Sequence, residues 1–305
     1  MLIKNELVSI IIPTYNQAGY LEECLNSILR QTYSCWEAII INNNSTDNTL
    51  EVIKKFSDER IKVLNFSNHG IIAASRNYGV QHAKGKSIAF LDSDDLWDPY
   101  KIEKYMDIFL KKQVDLICSD VILFNNTEKK RRYTSSNKFS YSYLLYHTNK
   151  IVTSSVMLKK QVFLEANGFN ENSNLVTCED YDLWLRLAYL KKSFYSIHLP
   201  LTYYRVNEAG ASRNYQNHLL ATLNLLALHH KKFIKNSFLN DLRMRSRISI
   251  ALRGAGYTCF KSGDWNNAIQ YFLKAMKKNF FSYKVWVALS IVYLYKINFF
   301  KKAEG

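Results

Sequence analysis

Ile88-Ala89-Phe90-Leu91 runs directly into Asp92-Ser93-Asp94-Asp95 and then into Leu96-Trp97-Asp98-Pro99. The apolar run predicts a short buried strand, and the Pro-containing segment predicts a turn into a helix. Three carboxylates therefore gather at the carboxyl end of a strand, where open α/β sheets bind their ligands. Like charges so close together repel unless a cation sits among them. Carboxylate oxygens suit a hard ion such as Mg²⁺ or Mn²⁺. A diphosphate-carrying substrate is the natural second guest. An acidic turn that only caps the following helix would have the same composition, so the neighbouring segments have to decide between the two.

Upstream, Val8-Ser9-Ile10-Ile11-Ile12 is a continuous apolar run stopped by Pro13, the mark of a central parallel strand. A helical pattern follows in which Leu21, Leu25, Ile28 and Leu29 share one face. Glu37-Ala38-Ile39-Ile40-Ile41 predicts a second buried strand. It ends in the polar stretch Asn42 to Thr49, which suits a ligand loop entering a capped helix near Thr49. Ile61-Lys62-Val63-Leu64 predicts a third strand and Ala73–His82 a helix. Such alternation predicts right-handed crossovers and a mostly parallel sheet with helices on both faces.

Downstream of residue 115 the alternation loosens. Asp115–Leu123 and Ser154–Leu158 predict strands, and Asn125–Asn137 a polar loop. That loop carries Lys129-Lys130-Arg131-Arg132, read as a solvated charge run or as a lid over a cleft. Glu179-Asp180-Tyr181-Asp182-Leu183-Trp184-Leu185-Arg186-Leu187 predicts an amphipathic helix whose acidic residues sit at its positive N-terminus.

With 305 residues, 48% apolar and 22% charged, the chain is globular rather than disordered. No apolar run reaches the ~18 residues of a membrane span, and Met1–Glu6 lacks the apolar core of a signal peptide. Five cysteines without metal-site spacing predict reduced thiols and a cytoplasmic setting. The net charge of +15 is uneven: residues 1–228 carry +3 and residues 229–305 carry +12. Basicity thus belongs to the C-terminal part.

Five segments taken together resemble the family 2 glycosyltransferases, which have the GT-A fold. They are Val8-Ser9-Ile10-Ile11-Ile12-Pro13-Thr14-Tyr15-Asn16, the Asn-rich loop ending Ser45-Thr46-Asp47, Ala74-Ser75-Arg76-Asn77, Leu91-Asp92-Ser93-Asp94-Asp95 and the Glu179–Leu187 segment. The likeness covers roughly residues 6–215, and the order of the five segments is the family's. It implies an α/β, Rossmann-like GT-A domain over residues 1–225, followed by a small all-helical basic region over 226–305.

The resemblance implies transfer of a sugar from a nucleotide donor, expected to be UDP-linked, to a hydroxyl of a glycan or lipid-linked acceptor, with inversion. By motif position, Asp94 would ligate Mn²⁺ or Mg²⁺, helped by Asp92. Pro13, Tyr15, Asn16, Asn43, Arg76, Asp92 and Ser93 would line the nucleotide sugar. Asp180 matches the base, with Glu179 beside it; a neighbouring carboxylate raises a pKa towards neutrality, which suits a base. Arg76 would meet phosphate or the acidic cluster. Where the family often has two aspartates this chain has Asn42-Asn43, which leaves the base identity open, although an amide oxygen can still accept a uracil N–H. Tyr204-Arg205 and Ser212-Arg213 match a weaker motif near the donor phosphates or the acceptor.

In the C-terminal part, Gly256, Gly263-Asp264-Trp265, Ala268, Phe272 and Ala275 have the spacing of one tetratricopeptide unit, with Phe280 where a proline is usual. Trp286, Tyr293, Tyr295, Phe299 and Phe300 beside Lys296, Lys301 and Lys302 suit a membrane interface. This part is expected either to dock on an anionic inner leaflet of the plasma membrane or to be a soluble helical cap. The other readings are an inactive transferase-like domain serving as an adaptor, and nucleic-acid binding through the basic tail. No nucleic-acid signature accompanies that charge, so no nucleic acid is expected as a partner.

Overall fold

The computed structural model describes residues 6–125, 128–132, 138–147, 149–207, 214–235 and 237–303. The chain forms two compact units: Met1–Leu144 with Asn149–Glu208, and Leu145–Thr148 with Ala209–Gly305. The first half of the chain runs β1 (Val8–Thr14), α1 (Ala18–Leu29), β2 (Trp36–Asn42), α2 (Thr49–Lys54), β3 (Ile61–Asn65), α3 (Ile72–His82), β4 (Ser87–Phe90), β5 (Leu96–Trp97), α4 (Lys101–Lys111), β6 (Leu116–Phe124) and β7 (Lys129–Arg132). Then follow α5 (Tyr141–Tyr146), a 3₁₀ turn at Thr153–Ser155, β8 (Met157–Lys159), α6 (Lys160–Glu165), α7 (Glu179–Tyr189) and β9 (Phe194–Arg205).

The strands form a single mixed sheet in the order β3-β2-β1-β4-β8-β6-β9-β5, with β7 on β6. Strands β3, β2, β1 and β4 are parallel, as expected, and β6 is parallel to β9. Strand β8 is antiparallel to both β4 and β6.

All seven residues of β1 and of β2 are buried. Ile10, Ile12, Ala38 and Ile40 join Leu21, Leu25 and Ile28 of α1 and Ile102, Tyr105 and Met106 of α4 in one core. The opposite face meets α3 at Gly79, where a Cβ would lie 2.6 Å from Ile11 Cγ2 and 3.2 Å from Ile41 Cγ1. With both faces covered, these strands read as unbroken apolar runs instead of alternating ones. The chain builds β1, β2 and β3 towards one edge and then returns to place β4 on the other side of β1. The carboxyl ends of β1 and β4 therefore flank the switch point at which such sheets open a crevice.

Three local readings are corrected. Leu96-Trp97 forms β5 on β9 rather than only a turn. The segment Ser154–Leu158 divides into the 3₁₀ turn and β8, because its hydroxyls and carbonyls are engaged by other elements. The charge run at 129–132 is a strand and not a loop: β7 pairs with β6, and Arg131 reaches the fully buried Asp120 at 2.8 Å. Lysines along such an added strand discourage further pairing. The rest of the expected lid, residues 126–127 and 133–137, lies outside the described residues.

The second unit contains α8 (Tyr215–Phe233), α9 (Phe238–Lys261), α10 (Trp265–Lys278) and α11 (Tyr283–Ala303). The expected helical hairpin is α9–α10. Gly263 turns the chain at φ +79°, and the Asp264 side chain caps α10 by accepting from Asn267 N–H. Ala268, Phe272 and Ala275 are fully buried. A Cβ at Gly256 would meet Phe272 Cε1 at 2.6 Å, and Phe272 is itself fully buried. Overpacking costs about 1–3 kcal/mol, whereas alanine in a helix returns about 1 kcal/mol. Gly256→Ala is therefore expected to lower stability to urea by about 1 kcal/mol. Gly254→Ala, with nothing within 4 Å, should raise it by a similar amount; two shifts of the same sign would refute this packing. Among the described residues, no helix is long and apolar enough to cross a membrane. The side chains of Phe299, Phe300, Lys301 and Lys302 lie outside the described part.

Candidate active site

Five segments meet at the carboxyl ends of the parallel strands. After β1, Pro13 is buried, while Tyr15 is 55% exposed and Asn16 takes a left-handed conformation (φ 51°). Asn16 N–H donates to Ser45 Oγ at 3.0 Å, and Asn16 Oδ1 accepts from Thr46 N–H at 2.8 Å. The Asn-rich loop is thus stitched to the end of β1. After β2, Asn42 is buried, donating to Asn65 Oδ1 and accepting from Ser45 N–H. Asn43 stands higher, and its Oδ1 accepts from Asn68 N–H at 2.9 Å. An amide oxygen has two lone pairs, so one acceptor site remains.

The acidic turn is held from several sides. Asp92 N–H donates to Ser154 Oγ at 3.0 Å. Arg205 donates its backbone N–H to Asp95 Oδ1 at 2.8 Å and its Nε–H to Asp94 O at 2.9 Å. The same guanidinium lies over the rings of Tyr20 and Phe124. Asn207 Nδ2 approaches Asp94 Oδ2 at 3.5 Å, and its own Oδ1 accepts from Tyr20 OH. Ser93 is buried in the turn. Burial, then the charge of Asp92, push the Asp94 carboxyl up to about 6. Burial, then Asp94 and Asp92, hold Asp95 well above the carboxylate range.

Helix α7 brings the second acidic pair to the same place. Asp180 Oδ2 accepts from Thr153 Oγ1 at 3.0 Å, and Asp180 Oδ1 accepts from Tyr181 N–H. Burial, then Glu179, push Asp180 up to about 7, although Arg76 and Thr153 pull it down. Between the two acidic groups stands Arg76 of α3, only 3% exposed. It donates from Nη2 to Asp92 Oδ1 and from Nη1 to Glu179 Oε1, both at 2.7 Å. Of the two roles expected for Arg76, the structure shows pairing with the acidic cluster. Two paired carboxylates keep it charged despite its burial.

The sequence reading missed Thr153 and Ser154 as parts of the site. The 3₁₀ turn links Asp180 through Thr153 to Asp92 through Ser154, and its carbonyls accept from Trp97 Nε1, Tyr105 OH and Lys101 Nζ. The available signal was three hydroxyl residues, Thr153-Ser154-Ser155, set between Ile151-Val152 and Val156-Met157-Leu158; buried hydroxyls require partners. Arg205, expected near the donor phosphates or the acceptor, lies against the acidic turn, whereas Ser212 and Arg213 lie outside the described residues.

Asp92 and Asp94 fit a hard divalent cation. Their donors are all oxygen, the ligand type such ions take. Among the described residues, no cluster of three or more His, Cys, Asp or Glu side chains forms a closed metal cage. Mg²⁺-type sites need none, because one or two carboxylates plus substrate phosphates and water complete them.

Comparison with known proteins bears on the family and the fold. The family model "Glycosyl transferase family 2" matches residues 9–164, just over half of the chain. A UDP-Glc:alpha-D-GlcNAc-diphosphoundecaprenol beta-1,3-glucosyltransferase of Escherichia coli is 34% identical over 181 residues, covering 59% of this chain and 69% of the relative. Among solved structures, Staphylococcus aureus TarS in complex with UDP-GlcNAc superposes with a TM-score of 0.60 at 16% identity, covering 90% of this chain and 91% of the other. A mannosyltransferase from Pyrobaculum calidifontis in complex with GDP-Man and Mn²⁺ has a TM-score of 0.59 at 16% identity, covering 94% and 85%. At that identity the two structures speak for the fold alone. The two acidic groups at the switch point and the family match converge: the chain belongs to glycosyl transferase family 2 and is a glycosyltransferase.

Proposed function

We propose that this enzyme transfers a sugar from a UDP-linked donor to a hydroxyl of a lipid-linked glycan acceptor, with inversion, in the synthesis of a surface polysaccharide. The carrying observation is Arg76, which ties Asp92 of the donor-side turn to Glu179 beside Asp180. One buried cation thereby sets the spacing between the leaving-group side and the base side of a single crevice.

Asp180 takes the proton from the acceptor hydroxyl as that oxygen bonds to the anomeric carbon. The bond from that carbon to the diphosphate oxygen breaks on the opposite face, and the nucleoside diphosphate leaves with the electron pair. A carboxylate raised to about 7 is a stronger base than an ordinary aspartate and still ionises near neutral pH. Asp92 and Asp94 would hold Mn²⁺ or Mg²⁺, and such an ion would supply Lewis-acid stabilisation of the departing charge. Tyr15 offers an exposed ring and Asn43 a free acceptor site to the base. The name of the E. coli relative supports the UDP donor and the lipid-diphosphate acceptor. Such an acceptor would place the work at the inner face of the plasma membrane.

A thermal-shift screen of UDP, GDP, CDP and dTDP sugars, with and without Mn²⁺, tests this reading on wild type and Asp94→Ala. At 100 times its Kd the donor should add about 2.7 kcal/mol of stability. The expected result is a UDP-sugar shift that needs the metal and disappears in Asp94→Ala. A shift with another nucleotide would reassign the base, and no shift with any would overturn the reading.

A further inference from the structure

We propose that the turn between α10 and α11 is a docking tip for an anionic lipid bilayer. Phe281 is 93% exposed, Tyr283 69%, Phe280 59% and Trp286 41%. The cluster is ordered. Phe280 packs edge-on against Trp286 (5.2 Å between centroids) and against Phe281 (5.8 Å), and Trp286 Nε1 donates to Phe280 O at 2.8 Å. These aromatic rings therefore stand in water, held in place by one another and not by a core.

Charge identifies the occupant. Lys274, Lys277, Lys278 and Lys284, on the helix ends that lead into and out of the turn, are all exposed. From Trp265 to Ala303 the sequence has seven lysines and no aspartate or glutamate. Helix α11 is apolar on two sides. Val285, Ala288, Leu289 and Val292 are buried in the helical core, while Tyr283, Val287, Ile291 and Leu294 lie exposed on the opposite stripe. A helix that is apolar all round is normally covered. Trp and Tyr beside lysines suit the headgroup level of a bilayer, where rings enter the acyl boundary and ammonium groups meet anionic phosphates. A second copy of this chain would bring the same positive charge against itself, which disfavours self-association on this surface. The inference gives the proposed lipid-linked acceptor a reason to be met at a surface, but vesicle binding requires no donor, metal or acceptor. Its failure would leave sugar transfer standing, and the converse also holds.

The test is co-sedimentation of the full chain with phosphatidylcholine vesicles and with vesicles containing phosphatidylglycerol, at about 0.1 M and about 0.5 M salt. Binding is expected only with phosphatidylglycerol, weakened about tenfold or more by the higher salt. Phe280→Ser with Phe281→Ser and Trp286→Ser should abolish it. Lys277→Glu with Lys278→Glu and Lys284→Glu, all at exposed positions that leave packing untouched, should do the same while keeping the UDP-sugar thermal shift. Equal binding to both vesicle types, no binding, or full binding by the lysine variant would overturn the proposal. A dimer that the aromatic variant dissolves, without vesicle binding by wild type, would reassign the surface to a second copy.

Discussion

Asp180→Asn should lower kcat by about 10²–10⁴-fold while the UDP-sugar thermal shift persists, because a positioned base typically contributes that much and touches the acceptor rather than the donor. The pH profile gives an independent check. As the proposed base, Asp180 works only when ionised, and burial, then Glu179, push its pKa up to about 7. Activity should therefore fall with decreasing pH through a limb near 7, with a slope of one. Ordinary aspartate would place that limb near 4. An Asp180→Asn enzyme with wild-type turnover would remove Asp180 from the chemistry.

Arg76→Met should lower the stability of the first unit severely. Removing one partner of a buried ion pair leaves the other charges uncompensated and costs about 3–5 kcal/mol. The Glu179 arm carries most of this, with both side chains 8% exposed or less, whereas Asp92 is 26% exposed and partly screened. For a unit of this size the loss corresponds to a fall in Tm of roughly 6–20 °C. Arg76 also pulls Asp180 downward, so any folded Arg76→Met should show its acid limb moved to higher pH. Arg76→Lys retains the charge but cannot serve two carboxylates through a planar fork, so it should recover stability only in part. Unchanged melting in Arg76→Met would show that the bridge does not hold the crevice together.

Much of the fold was legible because its signals are local. Val8–Ile12, Glu37–Ile41 and Ile88–Leu91 are unbroken apolar runs, and a strand covered on both faces requires that pattern. The helices between them follow from apolar spacing, and Gly263-Asp264 marks the α9–α10 turn by its positive φ and its cap. The pieces that escaped are those whose state depends on a partner. Lys129–Arg132 has the composition of solvated loop, yet it is strand because β6 offers an edge and Asp120 a buried charge. Ser154–Leu158 looks like a strand, yet Thr153–Ser155 curls because five residues from four other segments draw on its hydroxyls and carbonyls.

By itself, the sequence determined the alternation that makes the sheet, the strand end on which the acidic turn stands, and the helix that opens with Glu179-Asp180. These follow from periodicity and propensity, which act over a few residues. Only the tertiary structure decided that Arg76 spans Asp92, 16 residues away, and Glu179, 103 residues away. It also decided that Thr153 donates to Asp180, and that Arg205 braces a turn 110 residues upstream. Such pairings depend on strand order and on the burial that makes an unpaired charge costly, and neither is written in local sequence. The raised carboxyls of Asp94 and Asp180 come from that same burial, so the chemical character of this site belongs to the folded chain.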